Sequence, residues 1–152
     1  MKGISLWQPH ATWIALKWKT IETRDHDRFA CLRGRRVAIH AAKKFDPGYS
    51  VFPKGRKATG LEFVKLYQWM RRCMGCIVCT AVICEIRRCP EVDFVEREEW
   101  ERRACYDIRN KYLHFLEDIE PLKTPVPFRG RPWVFDVPDE LILSPASLEA
   151  QR

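Results

Sequence analysis

The sequence predicts an α+β domain: a small, closed or nearly closed β-barrel of five to six mostly antiparallel strands with two to three flanking helices. Three observations lead there. Apolar residues recur with period two over several short segments, and these are spaced too irregularly for repeated βαβ units. Only one segment carries a long apolar stripe of helical period. The chain has 152 residues, about the size of one domain with one core.

Gly3 to Leu6 opens as a short strand. Gln8-Pro9 then starts a helix, because proline has no N–H to leave unpaired in a first turn, and Ala11 to Lys17 continues it. Thr20 to Arg24 alternates polar and apolar residues, so Thr20, Glu22 and Arg24 share one strand face and Ile21 takes the other. Arg36 to Ala41 is a further strand, with Val37, Ile39 and Ala41 on one side and Ala38 and His40 on the other. Pro47, Gly48, Pro53, Gly55 and Gly60 mark residues 46–60 as a loop. Thr59 or Gly60 opens the clearest helix, whose stripe of Phe63, Leu66, Tyr67, Met70 and Met74 is predicted to face the core. Cys76 to Ile86 reads as a long strand, and Asp93 to Arg103 as a charged helix with Asp93 as N-cap. Lys111 to Leu116 and Trp133 to Val137 close the set, separated by Pro121, Pro125, Pro127 and Gly130. A single domain over residues 1–143 and a frayed tail over 144–152 are expected.

Twenty-seven Lys and Arg stand against 20 Asp and Glu, a formal net charge of +7. The charge is segregated: residues 17–44 hold nine basic and three acidic side chains, whereas residues 85–120 hold seven basic and eleven acidic. A one-sided basic surface attracts polyanions with salt-sensitive affinity, and the interleaved Trp7, Trp13, Trp18, Phe29, Tyr49 and Phe52 offer rings for unpaired bases. No stretch approaches the roughly 18 consecutive apolar residues of a membrane span. Met1 to Pro9 lacks the charged-then-apolar pattern of an export signal, so a cytoplasmic protein with no membrane partner and no obligate protein partner is expected.

Seven cysteines include Cys73, Cys76 and Cys79 in C-x-x-C-x-x-C spacing. On a strand, residues three apart point to opposite faces, so Cys76 and Cys79 would not converge on one ion. Reduced, packed thiols are expected, with no metal and no cofactor. The odd count argues against a disulfide framework.

The segments Ile4-Ser5-Leu6-Trp7-Gln8-Pro9 and Lys19-Thr20-Ile21-Glu22-Thr23-Arg24 closely resemble the ASCH domain family, a branch of the PUA-like superfamily. That family carries a G-x-K-x-x-E-x-R signature, matched here by Lys19, Glu22 and Arg24. The resemblance runs on through Arg33-Gly34-Arg35, Ala38 to Lys43, Gly75 to Val78 and Pro125 to Arg131, and is thinnest over residues 46–72 and the acidic helix. Two departures stand out. Lys17 occupies the signature's glycine position, and His10 follows Gln-Pro where relatives often have an aromatic residue.

The resemblance implies a PUA-like barrel with a cleft lined by the signature residues, and binding of single-stranded RNA or a (modified) nucleotide in a basic cleft. It also implies two alternatives: an amidohydrolase removing the acyl group from N-acetylated cytidine, and a ribonuclease. The deacylating branch has a threonine where this sequence has Glu22. Lys19, Glu22 and Arg24 form the expected centre, with Lys19 and Glu22 catalytic if the protein is an enzyme. Arg33, Arg35, Lys43 and Lys44 form the expected rim, with Gln8, His40, Arg129 and Arg131 as further ligand contacts. Physically, a lysine beside an arginine has its ammonium disfavoured, and a carboxylate accepts from an exocyclic amine. A protein-interaction role for the acidic helix around Trp100 is the non-catalytic rival.

Overall fold

The structure, a computed structural model, describes residues 1–89 and 94–142. Six strands, β1 (Lys2–Gln8), β2 (Ile21–Arg24), β3 (Arg35–Phe45), β4 (Cys76–Arg88), β5 (Tyr112–Pro127) and β6 (Val134–Asp136), form one mixed sheet in the order β2-β5-β4-β3-β1-β6. Three helices accompany it: α1 (His10–Ala15), α2 (Gly60–Cys73) and α3 (Phe94–Ala104). Among the described residues only β1 and β3 run parallel, and the other pairings are antiparallel.

The α+β class and the mostly antiparallel sheet agree with the sequence, but the closed barrel does not. The ladder has two ends, β2 and β6, and β6 covers only Lys2 to Ile4 of β1. From Ser5 onward β1 faces β2 across a gap that side chains span: Arg24 Nη2 donates to the Ser5 carbonyl at 3.3 Å. That seam positions the site described below.

β5 is far longer than expected and runs through Pro121 to Pro127. A proline removes a ladder donor and so belongs on an edge. β2 pairs only with Tyr112 to Phe115, so beyond Phe115 one side of β5 has no strand partner and prolines are tolerated there. β3 likewise extends to Phe45, which places His40 inside the strand rather than at its end. Its alternation is as predicted: Val37, Ile39 and Ala41 join the main core, and Ala38 joins a second cluster with Ile77, Phe135 and Val137.

α1 is buried along its whole length and is shorter than the predicted helix, which opens at Gln8-Pro9 and runs to Lys17: Gln8 ends β1, Pro9 caps the helix and Ala15 is its last residue. Its end is a Schellman turn: Trp18 N–H donates to Trp13 C=O (2.8 Å), Lys17 N–H donates to Ile14 C=O (2.8 Å), and Lys17 has φ 59°. α2 starts as predicted, with a capping box between Thr59 and Glu62. The predicted core stripe holds only at its far end, where Met70 and Cys73 are buried; Phe63 and Tyr67 are exposed and Met74 lies past the helix. Around α3, Trp100 packs edge-on against Phe115 with Ile21, Ala104 and Leu113 as neighbours, so it is core and not a free contact surface. The predicted N-cap Asp93 and the tail 144–152 lie outside the described residues. Cys31, Cys73, Cys76, Cys79, Cys84 and Cys105 are free thiols, and burial pushes the Cys79 thiol up to about 12 and the Cys73 thiol to about 11. No helix among the described residues is long and apolar enough to cross a membrane.

Candidate nucleic-acid interface

The centre of the site is built where α1, β2 and the end of α3 meet. A helix leaves its last carbonyls without intrahelical partners, and a cation there also complements the helix dipole. α3 ends in this way: Lys19 Nζ donates to Ala104 C=O, while Thr20 N–H donates to Arg103 C=O at 2.9 Å. Lys19 is completely buried.

From Lys19 an ion chain runs along β2. Lys19 Nζ is 3.5 Å from Glu22 Oε2, and Arg24 Nε is 3.1 Å from Glu22 Oε1. Glu22 and Arg24 share a strand face, as their spacing predicts. Arg24 then reaches Ser5 across the seam and stands 5.0 Å over the Phe29 ring. Burial alone would raise the Glu22 carboxyl, but Lys19 and then Arg24 outweigh it and hold the group below its ordinary value. Burial lowers Lys19, against the pull of Glu22.

Two cavities open on either side of Arg24. The smaller, about 310 Å³, is lined by the Lys19–Glu22–Arg24 chain together with His10, Asp46 and Tyr106, among others. The larger, about 1100 Å³, is lined by Arg24, Lys43, Arg129 and Arg131, by His26 and His40, and by Trp7, Phe29, Phe128 and Trp133. Ser5, Trp7, Arg24 and His26 line both.

His40 anchors the loop that carries the two arginines. Its Nε2 stands 3.1 Å from the Phe128 carbonyl, which can only accept, so Nδ1 is left to accept from the Ser5 hydroxyl at 3.0 Å. Phe128 N–H in turn donates to Gly75 C=O (2.9 Å), and Gly75 N–H to Ala41 C=O (2.7 Å). The loop is thereby tied to β3 and to the start of β4.

The structure therefore gathers seven of the predicted residues, Lys19, Glu22, Arg24, His40, Lys43, Arg129 and Arg131, around the two cavities. Lys44 stands just outside, its ammonium 3.8 Å over the exposed Trp7 ring. Gln8 is elsewhere: fully buried, it accepts from Thr12 N–H and Oγ1–H (3.2 and 2.8 Å) and fixes the start of α1. Arg33 and Arg35 line neither cavity. At about 3.3 Å per residue, Arg35 lies roughly 26 Å along β3 from Lys43, at the opposite end of the strand.

Sequence reasoning missed Ser5, Asp46, Tyr106 and Trp133 as site residues. A bulky residue after an Arg-rich Gly-Pro loop was the one signal for Trp133, which is half exposed, has φ 69°, and carries Arg28 at 3.9 Å over its ring.

No family model and no curated protein sequence matches the chain. Solved structures do. An ASCH protein from Zymomonas mobilis superposes with a TM-score of 0.54 at 16% identity, covering 98% of this chain and 93% of that one. A serine-to-alanine variant of the Zymomonas mobilis ASCH protein gives 0.52 at 15% identity, covering 99% and 94%. The fold of the chain is that of an ASCH domain.

Proposed function

We propose that this ASCH-fold protein binds single-stranded nucleic acid, RNA in the first instance, along the larger cavity. The observation that carries the reading is the lining itself. Arg24, Lys43, Arg129 and Arg131 stand on one open groove with no Asp or Glu among its lining residues, and Trp7 and Trp133 expose ring surface at it. Cations track a phosphate backbone and aromatic faces take unpaired bases, each stacked base contributing about 1–3 kcal/mol. The smaller cavity, with a carboxylate in its wall, suits a single unstacked base or nucleotide, since a carboxylate accepts from an exocyclic amine.

The test is a titration of a labelled RNA strand at rising salt. Four phosphates neutralised by four cations give a log–log slope of about −3, at roughly −0.7 per phosphate on a single strand. Reversing Arg129 and Arg131 to glutamate should abolish most of the affinity and flatten the slope. An affinity that is absent at low salt, or indifferent to salt, overturns the reading.

One observation favours a second reading, deacylation of N-acetylated cytidine. Lys19 lies in the wall of a cavity of nucleoside scale, with burial disfavouring its ammonium. Incubation with N-acetylcytidine followed by chromatography decides it: turnover that Lys19→Ala removes supports catalysis. Recovery of the titrated RNA as intact strand or as fragments tests ribonuclease activity in the same samples.

A further inference from the structure

The apolar stripe of α2 sets two rings where the core does not take them. Phe63 and Tyr67 are 42% and 40% exposed, although Met70 on the same stripe is fully buried. Phe63, Tyr67 and the exposed Arg71 stand four residues apart, so they form one ridge along the helix, about 12 Å long at 1.5 Å per residue. The Phe63 ring lies nearly parallel to Tyr67 (8°, centroids 6.3 Å apart), and Tyr67 stacks on Phe45 at the end of β3 (26°, 5.6 Å). None of these four residues lines either cavity.

The ridge nevertheless leads to the larger cavity at the C-terminal end of α2. Gly75, two residues past the end of α2, lines that cavity together with Lys43, and a β-carbon on Gly75 would fall 2.7 Å from Lys43 Cε. Lys43 and Phe45 are two apart on β3 and so take the same side of the strand. A chain leaving the cavity past Lys43 therefore comes first to Arg71, about one helical turn before Gly75, then to Tyr67 and then to Phe63.

The charge around the ridge suits a polyanion. Residues 54–72 hold six basic side chains and one acidic, and the acidic one, Glu62, is held in the capping box with Thr59. Aromatic faces take bases of any sequence, and cations hold the phosphates between them. An acidic peptide would use the cations and leave the rings bare. A purely apolar partner would cover the rings and leave the cations unanswered. A single strand of nucleic acid uses both.

We propose that the ridge of Phe63, Tyr67 and Arg71, with Phe45 beside it, is a second, base-tolerant contact for the RNA strand that leaves the larger cavity. The inference rests on the strand-binding reading and gives the strand a path, past Lys43 and along α2. It belongs to this chain in particular, because α2 lies where the family resemblance is thinnest.

The experiment is an anisotropy titration with labelled oligo-U RNA of about 4 and about 12 nucleotides, lengths within the range that single-strand sites cover. It compares the wild type with Phe63→Ala/Tyr67→Ala and with Arg71→Glu. The double variant should bind the long strand about tenfold or more weakly and the short strand as the wild type does, because the cavity alone holds the short one. Arg71→Glu should also weaken only the long strand, and should flatten its log–log salt slope by about 0.7 for the phosphate contact removed. Arg71 is exposed and its reversal leaves the ring packing in place, so it decides the matter if the double variant fails to fold. Equal losses on both lengths, or no loss on either, overturn the inference and leave strand binding standing. No binding of either length by the wild type overturns strand binding itself. Sedimentation of the free protein tests the rival occupant: dimers that the double variant abolishes, with long-strand affinity unchanged, assign the ridge to a second copy of this chain and overturn the inference.

Discussion

Gly130 lies directly against His40. A β-carbon on it would fall 2.6 Å from Ser5 Oγ and closer still to the His40 imidazole. The peptide of the Arg129-Gly130-Arg131 loop is thus seated on the Ser5–His40 pair, and the two groove arginines are aimed from that seat. Gly130→Ala should cost about 1–3 kcal/mol of strain, relieved by lifting the loop. RNA affinity should fall several-fold with the fold retained by circular dichroism. Unchanged affinity in Gly130→Ala would show that the seat does not matter.

Lys17 holds φ 59° at the end of α1, in the position the related signature gives to glycine. A residue with a β-carbon is strained there by about 1 kcal/mol. Lys17 is exposed, so nothing is lost by removing its side chain. Lys17→Gly should raise the urea midpoint by an amount worth about 1 kcal/mol, and the β-branched Lys17→Val should lower it.

Glu22 couples the site to stability. Its carboxyl titrates below its ordinary 4.5 in the fold, because Lys19 and Arg24 overcome the opposing burial. A depressed folded pKa means stability that is present above 4.5 and is lost as pH falls through the folded value. Glu22→Gln leaves Lys19 buried without its counter-charge, a loss of about 3–5 kcal/mol at neutral pH. Thermal melts from pH 7 to pH 3 should show the wild type converging on the variant as acid removes the same charge. Parallel melting curves across that range would contradict the coupling.

Two tryptophans separate binding from folding. Trp133 is half exposed at the groove, whereas Trp100 is buried against Phe115. Trp133→Ala should weaken RNA binding by about 1–3 kcal/mol with little change in melting temperature. Trp100→Ala should cost about 3–5 kcal/mol of stability. The reverse pattern would mean that the binding face has been misassigned.

The local rules served well where neighbours are local. Period two put Glu22 and Arg24 on one face of β2 and Ile21 on the other, and the Thr59–Glu62 box started α2 where its residues say. They failed where a partner from far along the chain decides. The prolines of β5 read as breakers until it is known that β2 stops pairing at Phe115. The stripe on α2 reads as core, yet only Met70 and Cys73 are buried, with Leu66 and Trp69 packed part-exposed against the core and Phe63 and Tyr67 exposed. Arg33 and Arg35 are expected at the rim, but Arg35 begins β3 at the end opposite Lys43 and Arg33 stands just before it, so neither lines a cavity.

From the chain alone came the α+β class, the net positive charge and the shared face of Glu22 and Arg24, which rest on composition and periodicity along one segment, and the ASCH resemblance, which rests on motif residues matched to a known family. Tertiary structure decided the rest. The open seam between β1 and β2, the carbonyl of Ala104 that holds Lys19, the seat of Gly130 on His40 and the pairing of His10 with Asp46 all join residues that are distant in sequence. Their distances are set by how the sheet coils and not by any local preference, and no pattern along the chain records that.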